Sequence, residues 1–324
     1  MEKNEVDNSS NDEFQELLQT LEQQPNWDRR RILKYEGFWF PARCLPIILS
    51  SQKRFKAKGT DIILSTMPKC GTTWLKALVF SIANRDVFSI DQSPLLTSNP
   101  HTLVPYLEYT IYQEQENLEL ENIPRPRILA THVPFQILPD CIRESECRII
   151  CICRNPLDQF VSHHRFLLEN KNGKDAVLLE LDEVFDMFCQ GIQPFGPFWD
   201  HMLGYWNVHL KNPQKLLFLK YEDLKQDISS EVKKIAEFIG FPFSAEEENQ
   251  GMIEQISRLC SFENLKNLEV NKSGYAGGAP IKNSSLFRKG EVGDWINHLT
   301  PAMAERVKNL MESKFQDSGL IFKI

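Results

Sequence analysis

The stretch IILSTMPKCGTTWLKAL, residues 62–78, holds the residues best suited to bind an anion. It opens with apolar residues that predict a buried strand, continues through a loop at Gly71, and predicts a helix from Thr72 onward. Backbone N–H groups without partners at the start of such a helix attract an anion, and the helix dipole strengthens the attraction. Lys69 adds a mobile cation, and the hydroxyls of Thr72 and Thr73 add donors. The segment therefore predicts a site for a phosphate-like group.

This loop differs from a Walker A loop, which also lies between a strand and a helix. Walker A has the pattern G-x-x-x-x-G-K-[S/T], in which the lysine directly follows the second glycine. Here Lys69 lies two residues before Gly71, and no earlier glycine occurs in the loop. The loop is therefore P-loop-like in its position, but its sequence argues against ordinary ATP hydrolysis.

A second basic residue, Arg154, lies where a predicted strand ends in RIICICRNPLDQFVSHHRF, residues 148–166. The carboxyl ends of parallel strands are where α/β sheets bind ligands, and Ser162 lies in the helix expected after the turn. A guanidinium next to a hydroxyl suits a terminal phosphate. The alternative is that Arg154 only forms a local salt bridge with Asp158.

A third basic site is the pair Arg288 and Lys289, which is followed by Gly290. The preceding residues 271–286 are rich in Gly and Ser and predict a flexible loop. A basic pair beside such a loop could close over an anion, although most Arg-Lys pairs are solvated surface. Three basic clusters on one α/β scaffold suggest a nucleotide with two separate phosphate groups.

Histidine and aromatic residues supply the remaining candidates. His132 follows a predicted strand and could act as a general base near neutral pH, although a lone histidine is more often structural. His163 and His164 are expected to be structural or to line a substrate pocket. Trp74 and Phe262 could hold a purine base between them, although aromatic residues in such segments are usually core.

The elements that must position these residues alternate between strand and helix from about residue 60 to 240. This alternation predicts a single α/β domain with a mostly parallel central sheet flanked by helices. Residues 1–25 are expected to be a mobile tail that leads into a short helix, before a domain at 26–324. Thr300 and Pro301 predict the start of the last helix. The predicted strands are 62–66, 127–131, 147–153 and 215–220, and the predicted helices are 72–84, 156–169, 183–190, 197–210, 228–239 and 300–316.

The composition of the 324 residues, with 42% hydrophobic and 25% charged, is ordinary for a soluble globular protein. A net charge of −7 argues against a general partner among nucleic acids or anionic membranes. The chain shows no secretory signal at its start and no apolar run that could span a membrane. Its eight cysteines show no C-x-x-C or zinc spacing, which predicts reduced thiols, a cytoplasmic location and no metal site.

Four motifs in this order resemble the cytosolic sulfotransferases, and several segments are similar to the plant branch of that family. The motifs are PKCGTTW (68–74), THVP (131–134), RNPLD (154–158) with Ser162, and RKGEVGDW (288–295). The resemblance runs from about residue 35 to the end of the chain. It implies the sulfotransferase fold and transfer of a sulfuryl group from 3′-phosphoadenosine 5′-phosphosulfate (PAPS) to a hydroxyl of a small molecule.

The resemblance also implies a role for each candidate residue. Trp74 and Phe262 would flank the adenine, and Tyr221 would contact it. His132 would take the proton of the acceptor, and Lys69 would neutralise the charge on the leaving phosphate in a loose, in-line transfer that needs no metal. The residues assigned to the 5′-phosphosulfate are Lys69, Cys70, Gly71, Thr72 and Thr73. The residues assigned to the 3′-phosphate are Arg154, Ser162, Arg288, Lys289 and Gly290.

The sequence departs from the family pattern at three places. Cys70 occupies a position where many members have Ser. Since this residue would bind through its backbone N–H, the change of side chain should be tolerated. Ala130 replaces a Lys of many animal members, so charge stabilisation should depend more on Lys69. The animal dimer motif is altered to Ile296, Thr300, Pro301 and Glu305, which favours a monomer.

The acceptor and two competing functions stay open at this point. Plant members act on flavonoids, brassinosteroid-type steroids, hydroxyjasmonates, desulfoglucosinolates and small phenols, and one sequence does not choose among them. The acceptor pocket is expected to be apolar and lined by aromatics such as Tyr106, Phe135 and Phe166. A P-loop phosphotransferase such as a nucleotide kinase would instead require magnesium and prefer ATP. A nucleotide-binding regulator would not need His132 and Lys69.

Overall fold

The computed structural model describes residues 16–111, 123–124, 126–170, 179–276 and 281–323. Its strands form two sheets, one of three antiparallel strands and one of four parallel strands. The antiparallel strands are β1 (Gln23–Pro25), β2 (Arg31–Tyr35) and β3 (Phe38–Pro41). The parallel strands are β4 (Ile62–Thr66), β5 (Ile128–Thr131), β6 (Arg148–Cys153) and β7 (Leu216–Lys220).

The helices connect these strands and close the chain. We number them from Leu45, and the bounds that were predicted differ from the observed ones by at most two residues, which is the ordinary uncertainty of a helix end. The helices are α1 (Leu45–Arg54), α2 (Thr72–Ala83), α3 (Pro100–Leu103), α4 (Asp140–Glu144), α5 (Pro156–Glu169), α6 (Leu181–Cys189), α7 (Phe198–Lys211), α8 (Tyr221–Gln226), α9 (Ile228–Ile239), α10 (Ala245–Asn249), α11 (Met252–Leu259), α12 (Phe262–Asn267), α13 (Glu269–Lys272) and α14 (Pro301–Lys314).

The parallel sheet is buried on both faces, as its apolar runs predict. Ile62 and Leu64 of β4 pack on one face with α2, α9 and α11, whereas Ile63 packs on the other face with α5 and α7. Side chains alternate across a strand with a period of two, so consecutive apolar residues serve two separate cores. Cys151 and Cys153 share the face of Ile63, as their spacing predicts.

The strand order β5-β4-β6-β7 indicates where along the sheet a ligand would bind. The chain runs from β4 to β5 on one side and then returns to β6 on the other side of β4. The connections after β4 and β6 therefore diverge at the carboxyl ends of these neighbouring strands, and this divergence is where open α/β sheets bind ligands. The loop after β4 carries Lys69, and the turn after β6 carries Arg154.

The antiparallel sheet at the start of the chain was not predicted. Strand β1 pairs with β2 in the register Gln24↔Ile32, so residues 23–25 belong to a sheet and not to a tail as expected. Residues 16–20, also within the expected tail, are helical, and residues 1–15 lie outside the described part. The β2–β3 turn is Glu36-Gly37 with φ of 46° and 85°, a conformation that favours Asn-Gly or Asp-Gly. Glu-Gly is a weaker hairpin signal, which is why the sequence did not show it.

Residues 271–286 are more structured than their Gly- and Ser-rich composition predicts. Helix α13 includes residues 271 and 272, and Asn283–Leu286 forms a 3-10 turn. The side chain of Asn283 bonds to the carbonyls of Val270 and Ser273, which ties the two ends of the loop together. The expected flexible loop thus has ordered ends, and residues 277–280 lie outside the described part of the chain.

Candidate active site

A cavity of about 510 Å³ opens at the carboxyl ends of β4 and β6. It brings together the predicted catalytic and nucleotide-binding residues from seven separate parts of the chain, with one exception. The predicted residues that line it are Lys69, Gly71, Thr72, Thr73, Trp74, His132, Arg154, Ser162, Tyr221, Phe262, Arg288, Lys289 and Gly290.

The exception is Cys70, whose thiol is fully buried in the core. Its backbone N–H already donates to the carbonyl of Met67 at 3.2 Å. Burial raises the pKa of its thiol to about 12, so the group stays a neutral, apolar filler. The structure therefore does not support the predicted contribution of a Cys70 N–H to anion binding.

The loop between β4 and α2 presents its backbone N–H groups to the cavity. Gly71 has φ of 113°, and a Cβ on it would lie 2.9 Å from the ring of Tyr221, so glycine is required there. Gly71 is the N-cap of α2 and no side chain caps the helix. The first N–H groups of a helix have no intrahelical partner, so those of Thr72, Thr73 and Trp74 can bind an anion.

Lys69 lies at the opening of this loop in a left-handed conformation, with φ of 70°. Its ammonium group lies 4.1 Å from the centroid of the Phe166 ring. Burial, with the nearby charges of Arg154 and Arg288, lowers the pKa of Lys69 to about 7, although Glu169 opposes the shift. Lys69, Arg154 and Arg288 thus bring three basic side chains to one cavity, which suits an anionic ligand.

Arg154 does take part in the local salt bridge that was the alternative to binding. Its Nη2 lies 3.6 Å from Oδ2 of Asp158 and 2.5 Å from the carbonyl oxygen of Glu291. Asp158 also accepts from the N–H groups of Gly293 and Trp295 at 2.8 and 3.1 Å. The salt bridge therefore joins Arg154 to the chain that follows Arg288, and it does not remove the guanidinium from the cavity.

The segment 288–298 carries its own acidic anchor. Asp294 accepts from Arg288 Nη1 and Lys289 Nζ, both at 2.5 Å, and its carboxylate lies 3.2 Å from His298 Nε2. Within the described part of the chain, Nε of Arg154 and Nε of Arg288 are buried without a hydrogen-bond partner. Buried donors are rarely left unpaired, so these two point to an acceptor that the protein itself does not supply.

Aromatic rings form the wall between the two basic ends. The rings of Trp74 and Tyr221 meet edge to face at 5.4 Å, and the guanidinium of Arg154 lies 4.5 Å from the Tyr221 ring. Gly290 has φ of 68°, and a Cβ on it would lie 2.5 Å from the Phe262 ring. Nε1 of Trp74 is buried without a partner among the described residues. This wall suits a flat ring with polar edges.

His132 presents one ring nitrogen to the cavity in a defined tautomer. Its Nδ1 lies 2.6 Å from the carbonyl oxygen of Thr66, which can only accept, so Nδ1 carries the proton. No described residue bonds to Nε2, whose lone pair is then available. Glu108 Oε1 accepts from the backbone N–H of His132 at 2.6 Å. Burial lowers the pKa of His132 to about 3, so the ring is neutral near pH 7.

Several residues of the site were missed by sequence reasoning. Tyr106 and Phe166 line the cavity as predicted, but Phe135 does not, because its ring packs on Tyr205 at a centroid distance of 5.7 Å. The cavity is also lined by His101, Tyr109, Phe195, Arg31 of β2 and Arg43, which lies two residues after β3. The two arginines could not be found without the hairpin that places them.

Three further properties concern the described residues only. They contain no group of three or more His, Cys, Asp or Glu side chains that could hold a metal ion. None of their helices is long and apolar enough to cross a membrane. All eight cysteines are free, and six of them are buried.

Comparison with known proteins identifies the family. The sulfotransferase domain model matches residues 59–319. Cytosolic sulfotransferase 15 of Arabidopsis thaliana is 45% identical over 326 residues, which cover 99% of this chain and 90% of that protein. The crystal structure of a candidate steroid sulphotransferase of Arabidopsis thaliana matches with a TM-score of 0.77 and 37% identity over 98% of both chains. A mouse sulfotransferase complexed with PAP matches with a TM-score of 0.69 and 27% identity, covering 89% of this chain and 95% of that one.

The family model covers most of the chain, and the relatives cover it almost completely. The resemblance in the four motifs and the predicted α/β fold are therefore confirmed. The chain belongs to the sulfotransferase family and is a PAPS-dependent sulfotransferase.

Proposed function

We propose that the enzyme transfers the sulfuryl group of PAPS to a hydroxyl of a small plant metabolite, with His132 as the base. One observation carries the proposal: a single cavity joins two cation clusters to a histidine whose Nε2 is unbonded. The two clusters match a nucleotide that has an anionic group at its 5′ end and another at its 3′ position. The mouse relative in complex with PAP supports the same ligand class.

The loop after β4 would hold the 5′-phosphosulfate. The N–H groups of Thr72 and Thr73 and their hydroxyls provide donors, and Lys69 provides the charge. At the other end, the unpaired Nε atoms of Arg154 and Arg288 would meet the 3′-phosphate, together with Ser162, Lys289 and Gly290. The adenine would lie between, against Trp74, Tyr221 and Phe262.

In the transfer, Nε2 of His132 would take the proton of the acceptor hydroxyl as that oxygen bonds to sulfur. The bond between sulfur and the bridging oxygen breaks, and the nucleotide leaves as 3′-phosphoadenosine 5′-phosphate (PAP). Lys69 would neutralise the negative charge that develops on the bridging oxygen. The protein's contribution is therefore positioning and charge stabilisation, and the proposal includes no metal.

The surroundings of His132 indicate an aromatic or alicyclic acceptor. The rings of Tyr106, Phe195 and Tyr109 lie 4.9, 5.5 and 6.2 Å from its imidazole. An acceptor hydroxyl within reach of Nε2 would place its carbon skeleton against these rings. Flavonoids, brassinosteroid-type steroids and other hydroxylated plant metabolites all fit this description. We also propose a monomer in the cytosol, in keeping with the altered dimer motif and the cytosolic relative.

The test is transfer of labelled sulfate from PAPS to a panel of flavonols, brassinosteroids, a hydroxyjasmonate, a desulfoglucosinolate and simple phenols. The assay is run with magnesium and with a chelator, and ATP is offered as a competing donor. A labelled sulfate ester that forms in the chelator supports the proposal and identifies the acceptor class. Phosphoryl transfer from ATP that requires magnesium, with no sulfate ester, would contradict it.

A further inference from the structure

Behind the loop after β4, the hydroxyl of Thr73 continues into two polar side chains, His101 and Lys76, to which the transfer mechanism assigns no role. Thr73 Oγ1 lies 2.9 Å from Nε2 of His101, and Nδ1 of His101 lies 3.1 Å from Nζ of Lys76. Lys76 comes from α2, one turn after Thr73, and His101 comes from α3. Lys76 is completely buried and His101 is 7% exposed, so water does not compete for the contact between these two side chains.

The number of donors and acceptors on each group determines the direction of each hydrogen bond from Lys76 to Thr73. An ammonium group has three N–H donors and no acceptor. Lys76 Nζ donates to the carbonyl of Val104 at 2.8 Å and lies 3.4 Å from the centroid of the Tyr106 ring, a cation–π contact. Burial lowers the pKa of Lys76 well below its usual value, but the charge of Glu108 opposes the shift and the Tyr106 ring favours the charged form. As an ammonium group, Lys76 donates to Nδ1 of His101 as well, so Nδ1 is the acceptor.

The orientation passes through the imidazole to the threonine. A neutral imidazole that accepts at Nδ1 carries its proton at Nε2. Burial and the charge of Lys76 lower the pKa of His101 well below its usual value, which keeps the ring neutral. Nε2–H then donates to Thr73 Oγ1. The hydroxyl of Thr73 is left with its own proton free, and Thr73 lines the cavity.

We propose that Lys76 and His101 are positioning residues that make the Thr73 hydroxyl an obligatory donor to the 5′ group of the nucleotide. The inference rests on the proposed function, because it needs an anion in the loop after β4. Without Lys76 the imidazole could adopt the other tautomer, and the Thr73 proton could turn away from the nucleotide toward Nε2. The pair thus extends the loop's anion site into the core, where a further cation supports it.

A double-mutant cycle tests the proposal, with the Kd of PAP measured by calorimetry. Lys76→Met should weaken PAP binding about tenfold, the usual size for a lost hydrogen bond to a charged group. In a Thr73→Val background the same change should alter Kd less than about twofold, because the hydroxyl that it orients is absent. An equal loss in both backgrounds would mean a purely structural role for Lys76 and would overturn the proposal.

Lys215→Met is the matched control. Lys215 is also buried and donates to two backbone carbonyls, those of Ile142 and Ser145, at 2.7 and 2.5 Å. It does not line the cavity, so its substitution should lower the melting temperature without changing the Kd of PAP per folded molecule. The control thus distinguishes the loss of stability that follows from removing any buried lysine from the loss of PAP affinity that follows from losing the His101 tautomer.

Two variants of His101 test the same proposal if the Lys76→Met protein does not fold. In His101→Gln the amide can still accept from Lys76 and donate to Thr73, so most of the PAP affinity should be retained. His101→Leu can do neither, and binding should weaken about as much as in Lys76→Met. Equal Kd values of PAP for the two variants would contradict the proposed role of His101 in orienting the Thr73 hydroxyl.

The tautomer itself can be read in the wild-type protein by ¹⁵N NMR with labelled histidine. The chain has seven histidines, and the His101→Gln spectrum assigns the signals of His101. We expect a bare Nδ1 and a protonated Nε2. A proton on Nδ1 would mean that Lys76 is a neutral amine accepting from the ring, and the inference would be wrong. If the wild type neither bound PAP nor transferred sulfate, the proposed function would fail first, independently of the tautomer.

Discussion

At the scale of single residues, burial gives His132 and Lys69 properties that their residue types alone do not indicate. The Thr66 carbonyl selects the tautomer of His132, and burial lowers its pKa to about 3, so that ring does not need to lose a proton before it acts. Burial also brings the pKa of Lys69 to about 7, within the range of ordinary buffers. Binding and chemistry should therefore respond to pH through Lys69 and not through His132.

We predict that the affinity for PAP falls as pH rises above about 7. With a pKa of about 7 in the free enzyme, Lys69 is mostly neutral above that pH. A bound anion favours the charged form, so the pKa of Lys69 rises in the complex and binding takes up close to one proton. Affinity should then fall by up to about tenfold per pH unit until the higher pKa is reached. Calorimetry in buffers of different ionisation enthalpy measures this proton uptake.

Lys69→Arg is the control, because arginine stays protonated throughout this range. Its PAP affinity should be nearly independent of pH over the window in which the wild type weakens. An equal pH dependence in both proteins would assign the titration to another group and would contradict the shifted pKa of Lys69.

The residue types in the sequence predicted the anion-binding loop, but they did not predict the side chains that pack behind it. Lys69, Thr72 and Thr73 are adjacent in sequence, and their strand–loop–helix context predicted an anion site directly. Glu108 and His101 act through contacts with residues more than twenty positions away, at His132 and Thr73. Such contacts depend on which helices and strands pack against each other, and no residue spacing in the sequence predicts them.

At the scale of elements, the segment 288–298 is held by two buried carboxylates, Asp158 of α5 and Asp294. Each of them holds backbone or cations of the segment without occupying the unpaired Nε of Arg154 or Arg288. The segment is thus preorganised next to Phe262, and Gly290 allows the close approach. Preorganisation reduces the ordering cost of binding the nucleotide.

We predict that Gly290→Ala weakens PAP binding about tenfold while the protein stays folded. An added Cβ would lie 2.5 Å from the Phe262 ring, and the residue has φ of 68°, so the segment or the ring must move. Gly319→Ala is the matched control, because Gly319 has φ of 73° and nothing within 4 Å of the added Cβ. Calorimetry with PAP measures both variants. Equal, small losses would contradict the close packing of Gly290 on Phe262.

The elements that the sequence predicted well are those buried on both faces. Continuous apolar runs with flanking turns identified β4 and β6, and the N-cap Thr300 followed by Pro301 identified the start of α14. The first sheet escaped because its strands are short and its Glu36-Gly37 turn is atypical. Arg31 of this sheet and Arg43, which lies just after it, were therefore missed as lining residues of the cavity.

At the scale of the whole molecule, charged side chains lie at both ends of the parallel sheet, with a different arrangement at each end. The carboxyl ends of the strands carry the cation clusters, whereas Asp61 and Arg127 pair immediately before β4 and β5. Arg127 Nε and Nη2 lie 2.7 and 2.5 Å from the two carboxylate oxygens of Asp61, and both side chains are at most 2% exposed. The net charge of −7 did not predict either feature, because both depend on local arrangement.

We predict that Asp61→Asn destabilises the protein by about 3–5 kcal/mol, because it removes one charge of a buried ion pair. The affinity for PAP per folded molecule should stay the same, since the pair lies at the far end of the sheet. Denaturant unfolding measures the first quantity and calorimetry the second. Asp140→Asn is the control, since Asp140 pairs with Arg143 on the surface and its loss should cost less than about 1 kcal/mol. A similar small effect for both would show that the buried pair is not a stabilising tie.

The most direct test of the whole account is the effect of His132→Ala on sulfuryl transfer and on PAP affinity, measured together with the best acceptor of the panel. We expect kcat to fall by about 10²–10⁴, the usual contribution of a general base, and the Kd of PAP to change less than about twofold. His209→Ala is the control, because His209 makes the same kind of Nδ1 contact, to the carbonyl of Leu216 at 2.9 Å, outside the cavity. It should keep full turnover. Full turnover in His132→Ala, or a loss of PAP binding that accounts for its lost activity, would contradict the role of His132 as the base.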